Sequence, residues 1–411
     1  MMKAIVQRLI WRDPEFGALE LPSGTMTLRY GFGSGLASRP GDTSGSFWAI
    51  GDRGPNIKVQ DAVRLYGLDQ LSALGDLAGA KIMPRLEVGP AIAELRVVGE
   101  AIQLLRIIPL KHRDGRPVTG LPHPGSDQLL SEPVFNISGR AIPPDDGGLD
   151  TEGIVALANG GFWVGDEFGP SLVRLDAAGI VRERLLPAPA GAPRAARCLP
   201  AIAARRQLNR GFEALATSGD ERYLFAAFQS PLAHPDEEAH RLARHVRIWK
   251  MDVRNGEVVA QYAYPLDPPA SFALDSAAGA FDTSDIKVSE LLWLPANSLL
   301  VLERGSATTK LYLCRLEAPA LGDEHLDLTT RPTLEELSAR ELAPAFPVLT
   351  KSLLFSTDDH PEVARDLEGM VALSPSELLL VSDNDFGVLG AETSFWRVQF
   401  SRPIGEHLNG G

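Results

Sequence analysis

The sequence predicts an all-β chain: a single β-propeller of about six four-stranded blades with a few short helical insertions. Three observations lead there. A short pattern recurs four times, and a degenerate fifth time, along the 411 residues. Turn formers are abundant, with 39 glycines and 31 prolines, where the two types together average about 12% of a chain. Amphipathic stretches of helical period are scarce, which argues against a doubly wound α/β fold. A hydrophobic content of 44% over this length buries a large core and excludes disorder as the overall state.

Each copy of the pattern opens on an acidic residue, enters an apolar run, turns, and leaves a second apolar run on a polar or acidic residue. The degenerate copy opens at Ser34-Gly35-Leu36 and closes at Asp52-Arg53. The clearest runs from Asp150 and Glu152-Gly153 to Asp166-Glu167. The others run from Glu213 to Gln229, from Glu290 to Glu303-Arg304, and from Glu368-Gly369 to Asp383 and Asp385. Opening and closing residues lie 13 to 18 positions apart, room for two strands of about five residues and a turn of about four. Each copy therefore reads as a β-hairpin.

The later openings are separated by 61, 77 and 78 residues, enough for a four-stranded sheet each. The first gap is 118 residues and has room for a further sheet, with Ala93–Val98 and Ala101–Ile108 among its strands. Helices are expected over Ala233–Arg244 and Leu334–Arg340, and residues 188–206 read as a long surface loop. No linker divides the chain, so residues 1–411 form one domain. Cys198 and Cys314 are expected as unpaired thiols.

A hairpin returns the chain to the end from which it started. In a propeller, one mouth would thus collect Asp52, Glu152, Asp166, Glu167, Glu213, Glu290, Glu303, Glu368, Asp383 and Asp385. Carboxylates that face one another in a partly dehydrated funnel repel, at a cost on the order of a few kcal/mol per close pair. Protonation, cationic side chains or bound cations relieve this. Oxygen donors without a matching His or Cys set describe a hard-cation site, Ca²⁺ before Mg²⁺ or Mn²⁺. Against this stands a plainer role, since an acid at a strand end also caps backbone amides.

Other signatures are missing. There is no G-x-S-x-G elbow, P-loop, H-E-x-x-H or C-x-x-C. Gly31, Gly33 and Gly35 read as turn glycines. His234, His240 and His245 read as a solvated helical face rather than a zinc site, and Trp48, Trp163, Trp249, Trp293 and Trp396 as packing between strands. The net charge of −13 argues against nucleic-acid binding. No stretch approaches the roughly 20 apolar residues of a membrane span. Without an apparent leader the chain is expected in the cytoplasm.

The ordered motifs GFGSGLA with FWAIGDRGPN, TGLPHP, LDTEGIVALANGGFWVGDEFGPSLVRLD, NRGFEALA with FAAFQSPL, VSELLWLPANSLLVLER, and LEGMVAL with LLLVSDNDFG carry a resemblance over nearly the whole chain. It is similar to the phytase-like family, also described as "esterase-like activity of phytase". The resemblance implies an active site among Asp150, Glu152, Asp166, Glu167, Glu213, Glu290, Glu303, Glu368, Asp383 and Asp385. It also implies a periplasmic or secreted protein. Two departures stand out: Ser34 replaces the opening acid in the first copy, and Gly305-Ser306 follows Glu303-Arg304 where another acid is usual.

The function expected is hydrolysis of a small phosphorylated substrate by a monomer, with Ca²⁺ held in the acidic funnel. Metal ligands are expected among Asp52, Asp150, Glu152, Glu167, Glu213, Glu290, Glu303, Glu368, Asp383 and Asp385. Glu152, Asp166, Glu213, Glu368 and Arg304 are expected in catalysis, and Arg53, Arg304, Lys351 and His123 as phosphate clamps. The alternatives are a single-metal lactone or carboxylic-ester hydrolase and a non-catalytic binding propeller.

Overall fold

The computed structural model describes residues 3–125, 131–189, 197–317, 320–340 and 346–409. Among them the recurring hairpins are the innermost strands of five four-stranded sheets. The first sheet orders Gly35–Ala37, Ser46–Ile50, Ala91–Val98 and Ala101–Pro109. The second is Thr151–Ala156, Phe162–Asp166, Ser171–Leu175 and Val181–Leu185, and the third Phe212–Thr217, Tyr223–Phe228, His245–Asp252 and Glu257–Pro265. The fourth is Lys287–Leu294, Ser298–Arg304, Thr309–Arg315 and Lys351–Ser356. The fifth takes Leu367–Ser374, Glu377–Ser382 and Ser394–Phe400 and is completed from the other end of the chain. There Ala4–Leu9 pairs antiparallel with Ser394–Phe400, Ala4 opposite Phe400.

The first strands of these sheets form a closed circuit. Cα atoms come within 8 Å between first and second, second and third, third and fourth, fourth and fifth, and fifth and first. The circuit has five members where the spacing of the repeats predicts about six. A sixth four-stranded sheet does exist, but as an insertion: Ile57–Lys58, Lys81–Ile82, Val134–Phe135 and Ala141–Ile142 pack against the helix Val59–Tyr66. The long first gap therefore does hold a sheet. The strands expected in it instead complete the first sheet of the ring.

Close approach of the inner strands explains two of the alternating glycines better than turns do. A Cβ on Gly33 would sit 2.3 Å from the Asp383 Cα, and one on Gly35 would sit 2.6 Å from the Glu152 carbonyl oxygen. Neither has a positive φ. They are there because neighbouring backbones leave no room for a side chain.

The core lies between the sheets. Trp163, Phe212, Phe228, Trp249 and Leu299 belong to one buried cluster spanning the second, third and fourth sheets, with Trp249 edge-on to Phe228. Trp48 packs edge-on against Phe162 between the first and second. The expected helices appear at Glu237–Leu242 and Leu334–Arg340 and pack against each other. That contact overturns the solvated reading of the histidines. His234, His240 and His245 are buried, with His240 Nδ1 2.7 Å from the Pro231 carbonyl and His245 Nδ1 2.8 Å from Ser338 Oγ. Within 188–206, the segment 190–196 lies outside the described residues and Ala201–Arg205 forms a 3₁₀ turn. Neither cysteine is part of a disulfide, and Cys314 is buried.

Candidate functional site

Each inner hairpin of the second to fifth sheets carries one extra residue at its start. Pairing slips between Thr151 and Ile154, Phe212 and Ala214, Val288 and Glu290, and Leu367 and Gly369. Such a bulge bends the strand and redirects the extra side chain. The redirected positions include Glu152, Glu213, Ser289 and Glu368, and in the first sheet Ser34 precedes the strand at the matching place. In the fourth copy the position is thus Ser289; the sequence alignment on Glu290 is one residue late.

Ser34, Glu152, Glu213 and Glu368 reach a cavity of about 700 Å³, while Ser289 is fully buried and does not line it. Asp52, Glu152, Glu167, Glu213, Glu368, Asp383 and Asp385 line it, with Ser34, Gln229 and Arg304. Ten acidic residues line the cavity against six basic ones, so its charge is not balanced from within. Three lining residues, Asn209, Asp366 and Asp385, hold a left-handed backbone without being glycine, a conformation Asn and Asp adopt more readily than other side chains.

The acids crowd most densely where the second and third sheets meet. Carboxylate oxygens of Asp150, Glu152 and Glu167 all lie within 4.8 Å of one another. Glu213 is within hydrogen-bond reach of Glu167. Glu167 and Glu213 are 2% and 1% exposed, and Glu167 Oε1 and Glu213 Oε2 have no hydrogen-bond partner among the described residues. Burial first, and then Glu213 and Asp150, hold the carboxyls of Glu152 and Glu167 well above the usual range. Burial likewise pushes Glu368 up to about 8, against the pull of Arg304, and Asp383 up to about 7, with Asp385 adding repulsion. Asp52 is also raised, by burial and then by Asp150 and Asp383.

The two arginines expected as phosphate clamps have their forks occupied. Arg53 holds Glu132 at 2.6 Å and Asp150 at 2.5 Å, bonds Asn209, and stacks over the Phe168 ring. Arg304 donates to Ser289 Oγ at 2.9 Å and to Asp366 at 3.2 Å, and ion-pairs with Glu368. Ser289 in turn donates to Glu213 Oε1 at 3.1 Å. Both arginines hold acids in place.

Six expected residues do not line the cavity. Asp166, expected in catalysis, is fully buried. It accepts from the amides of Asp150, Phe168 and Gly169, from Ser171 Oγ, and from Arg184, so it builds the turn that carries Glu167. Glu290 points into the ring and accepts the amides of Leu36 and Leu291 at 3.1 Å, tying the first sheet to the fourth. Glu303 faces outward beneath the third sheet, where Lys351 (2.5 Å), the Tyr264 hydroxyl (2.5 Å) and the Asp267 amide (2.8 Å) satisfy it. Lys351 is therefore bound to Glu303 and Asp267. His123 lies beside the Pro124 carbonyl and Asp146. Asp150 also stands behind the wall, joined to the cluster through its oxygens.

Lys58 and Lys81 from the inserted sheet and Lys287 line the cavity without any repeat signal; Asn209 and Asp366 also line it, and open two of the copies without being expected at the site. Ser289 was legible as the bulge residue only from the pairing register. Glu132 lies in a segment without any period.

Fold and site together define a mostly β protein in which five sheets enclose a carboxylate-rich cavity able to take a metal ion. Residues 29–386 match the Phytase-like family, "Esterase-like activity of phytase", and the chain belongs to that family. It is 29% identical over 323 residues to an uncharacterized secreted protein of Arthroderma benhamiae, matching 67% of this chain and 59% of that protein. The chain thus spans under two thirds of the length of this relative. Among solved structures it is similar to a gluconolactonase from Xanthomonas campestris (8% identity, TM-score 0.36, 96% of this chain and 97% of the other). It is also similar to the β-propeller domain of Cps50 (Swd1) from Myceliophteria thermophila (10% identity, TM-score 0.36, 94% and 99%). No described helix is long and apolar enough to cross a membrane.

Proposed function

We propose that the chain is a five-bladed β-propeller that hydrolyses phosphoester bonds in this cavity with the help of a divalent cation, Ca²⁺ before Mg²⁺ or Mn²⁺. The observation that carries the reading is the pair Glu167 and Glu213. Two buried carboxyl groups lie against each other with one oxygen on each lacking a donor, beside Glu152 and Asp150. Such a group is stable only if it shares protons or binds a cation. All its donors are hard oxygens, which fits these cations. Asp150 is already countered by Arg53, so Glu152, Glu167 and Glu213 are the residues that would hold the ion. Bound there, a divalent ion supplies charge neutralisation and Lewis acidity toward a phosphoryl oxygen or a water.

The chain's own residues prepare the place. Arg304 and Ser289 hold Glu368 and Glu213 in position, Arg53 holds Asp150, and the turn around Asp166 presents Glu167. Asp52, Glu368, Asp383 and Asp385 line the remaining wall as further oxygen donors. The substrate is a small phosphorylated molecule, since the cavity's bulk and its negative surplus disfavour nucleic acid. Kinship with a protein described as secreted favours export over the cytoplasmic location expected from the sequence.

The test is hydrolysis of para-nitrophenyl phosphate, with a lactone and a carboxylic-ester panel beside it. A strong chelator should abolish phosphatase activity, and Ca²⁺ or Mn²⁺ should restore it. Activity that persists under chelation refutes the metal; turnover confined to lactones or esters refutes the substrate class.

A further inference from the structure

The inserted sheet brings an unusual pair to the cavity. Lys58 and Lys81 stand directly opposite one another on its antiparallel ladder, and both line the cavity. Facing residues of such a pair put their side chains on the same side of the sheet, where like charges repel. Arg53 and Arg304 are held by carboxylates, but neither lysine has a carboxylate ion-pair partner among the described residues. Lys81 donates one hydrogen bond, to the neutral Asn56 Oδ1 at 3.1 Å. Burial, then the charges of Arg53 and Lys58, hold the Lys81 ammonium below the usual lysine range. In the same wall the buried Nε of Arg53 also lacks an acceptor.

We propose that Lys58 and Lys81 form an anion clamp that receives the dianionic group of a phosphate monoester, and that this pair selects such substrates over neutral esters and lactones. The proposal rests on the hydrolase reading above and deepens it by naming the charge of the substrate. Two cations that feel Asp385, Glu132 and Asp150 without ion-pairing to any of them match a dianion better than a phosphodiester or an uncharged acyl group.

The test is calorimetric titration of inorganic phosphate into the full chain loaded with stoichiometric Ca²⁺. Wild type is compared with the variants Lys58→Gln/Lys81→Gln, Lys58→Arg/Lys81→Arg and the single Lys58→Gln. Phosphate affinity should fall about tenfold or more in the double glutamine variant, a loss expected of charge-assisted hydrogen bonds, and survive in the arginine variant. Lys58 is exposed, so its single replacement leaves packing intact and should still weaken phosphate measurably. Ca²⁺ affinity should not change in any of them. Phosphate binding as tight in the glutamine variants as in wild type, or no phosphate binding by wild type, overturns the clamp. Failure of the hydrolase reading has a different signature: phosphate binds through the lysines, yet no phosphoester is turned over.

Discussion

Glu213 and Glu303 arise from the same recurring pattern, one at the opening of the third copy and one at the close of the fourth, and their surroundings are opposite. Both are buried to 1% or less. Glu303 meets an ammonium, a phenol and a backbone amide, and every charge in its neighbourhood has an answer. Glu213 meets Glu167 and Glu152, with one oxygen lacking any donor. Recurrence of an acid therefore does not identify a ligand. The balance of partners does, and the bulge decides it by turning Glu213 into the ring while the regular pairing of Glu303 turns it out.

The sharpest break of this contrast is Glu213→Gln. Hydrolysis and Ca²⁺ affinity should fall by about 100-fold or more, beyond the range seen when only an outer partner of a metal ligand is lost. In chelator its melting temperature should equal or exceed that of wild type, because a repelling charge has gone. Steady-state kinetics and thermal melts read both. Glu303→Gln should do the reverse: melts should show a loss of about 2 kcal/mol from the weakened charge-assisted bonds, with Lys351 still paired to Asp267 and kcat/KM of the folded protein unchanged. Ca²⁺ at a hundred times its Kd for wild type should stabilise wild type by about 2.7 kcal/mol and Glu213→Gln by no more than about 0.4 kcal/mol, measured by melts across a calcium series.

A smaller effect is expected with pH, away from the cavity. Burial holds the imidazoles of His234 and His245 down at about 4, against an ordinary 6.5. The folded-state value is the lower one, so the unfolded chain takes up these protons first. Their stabilising share is complete above pH 6.5 and drains away as the pH falls toward 4. His245→Asn should flatten part of that slope in melts between about pH 4 and 7. Smallest of all, His123→Ala should leave turnover unaltered in the same phosphatase assay.

The hairpins, and so most of the ring, were legible in the sequence because two apolar strands and a turn leave a fixed spacing between polar ends. Glu152, Glu167, Glu213, Glu368 and Asp383 were legible for the same reason. The fourth copy misled by one residue: Ser289 and Glu290 are both polar, and only the pairing of Val288 with Glu303 tells which one is redirected. Outward positions such as Glu303 and Lys351 resembled ligands because strand ends alternate between faces, and that alternation is lost at a bulge. Lys58, Lys81 and Glu132 were hidden in a stretch without periodicity, since topology alone carries the inserted sheet over the cavity.

The central claim is that Glu152, Glu167 and Glu213 hold a divalent cation. An anomalous-scattering map from a calcium-soaked crystal tests it directly. A peak in contact with oxygens of all three residues, lost in Glu213→Gln, is the predicted result. A map without density there at saturating Ca²⁺, with the three carboxyl groups placed as described, would contradict it.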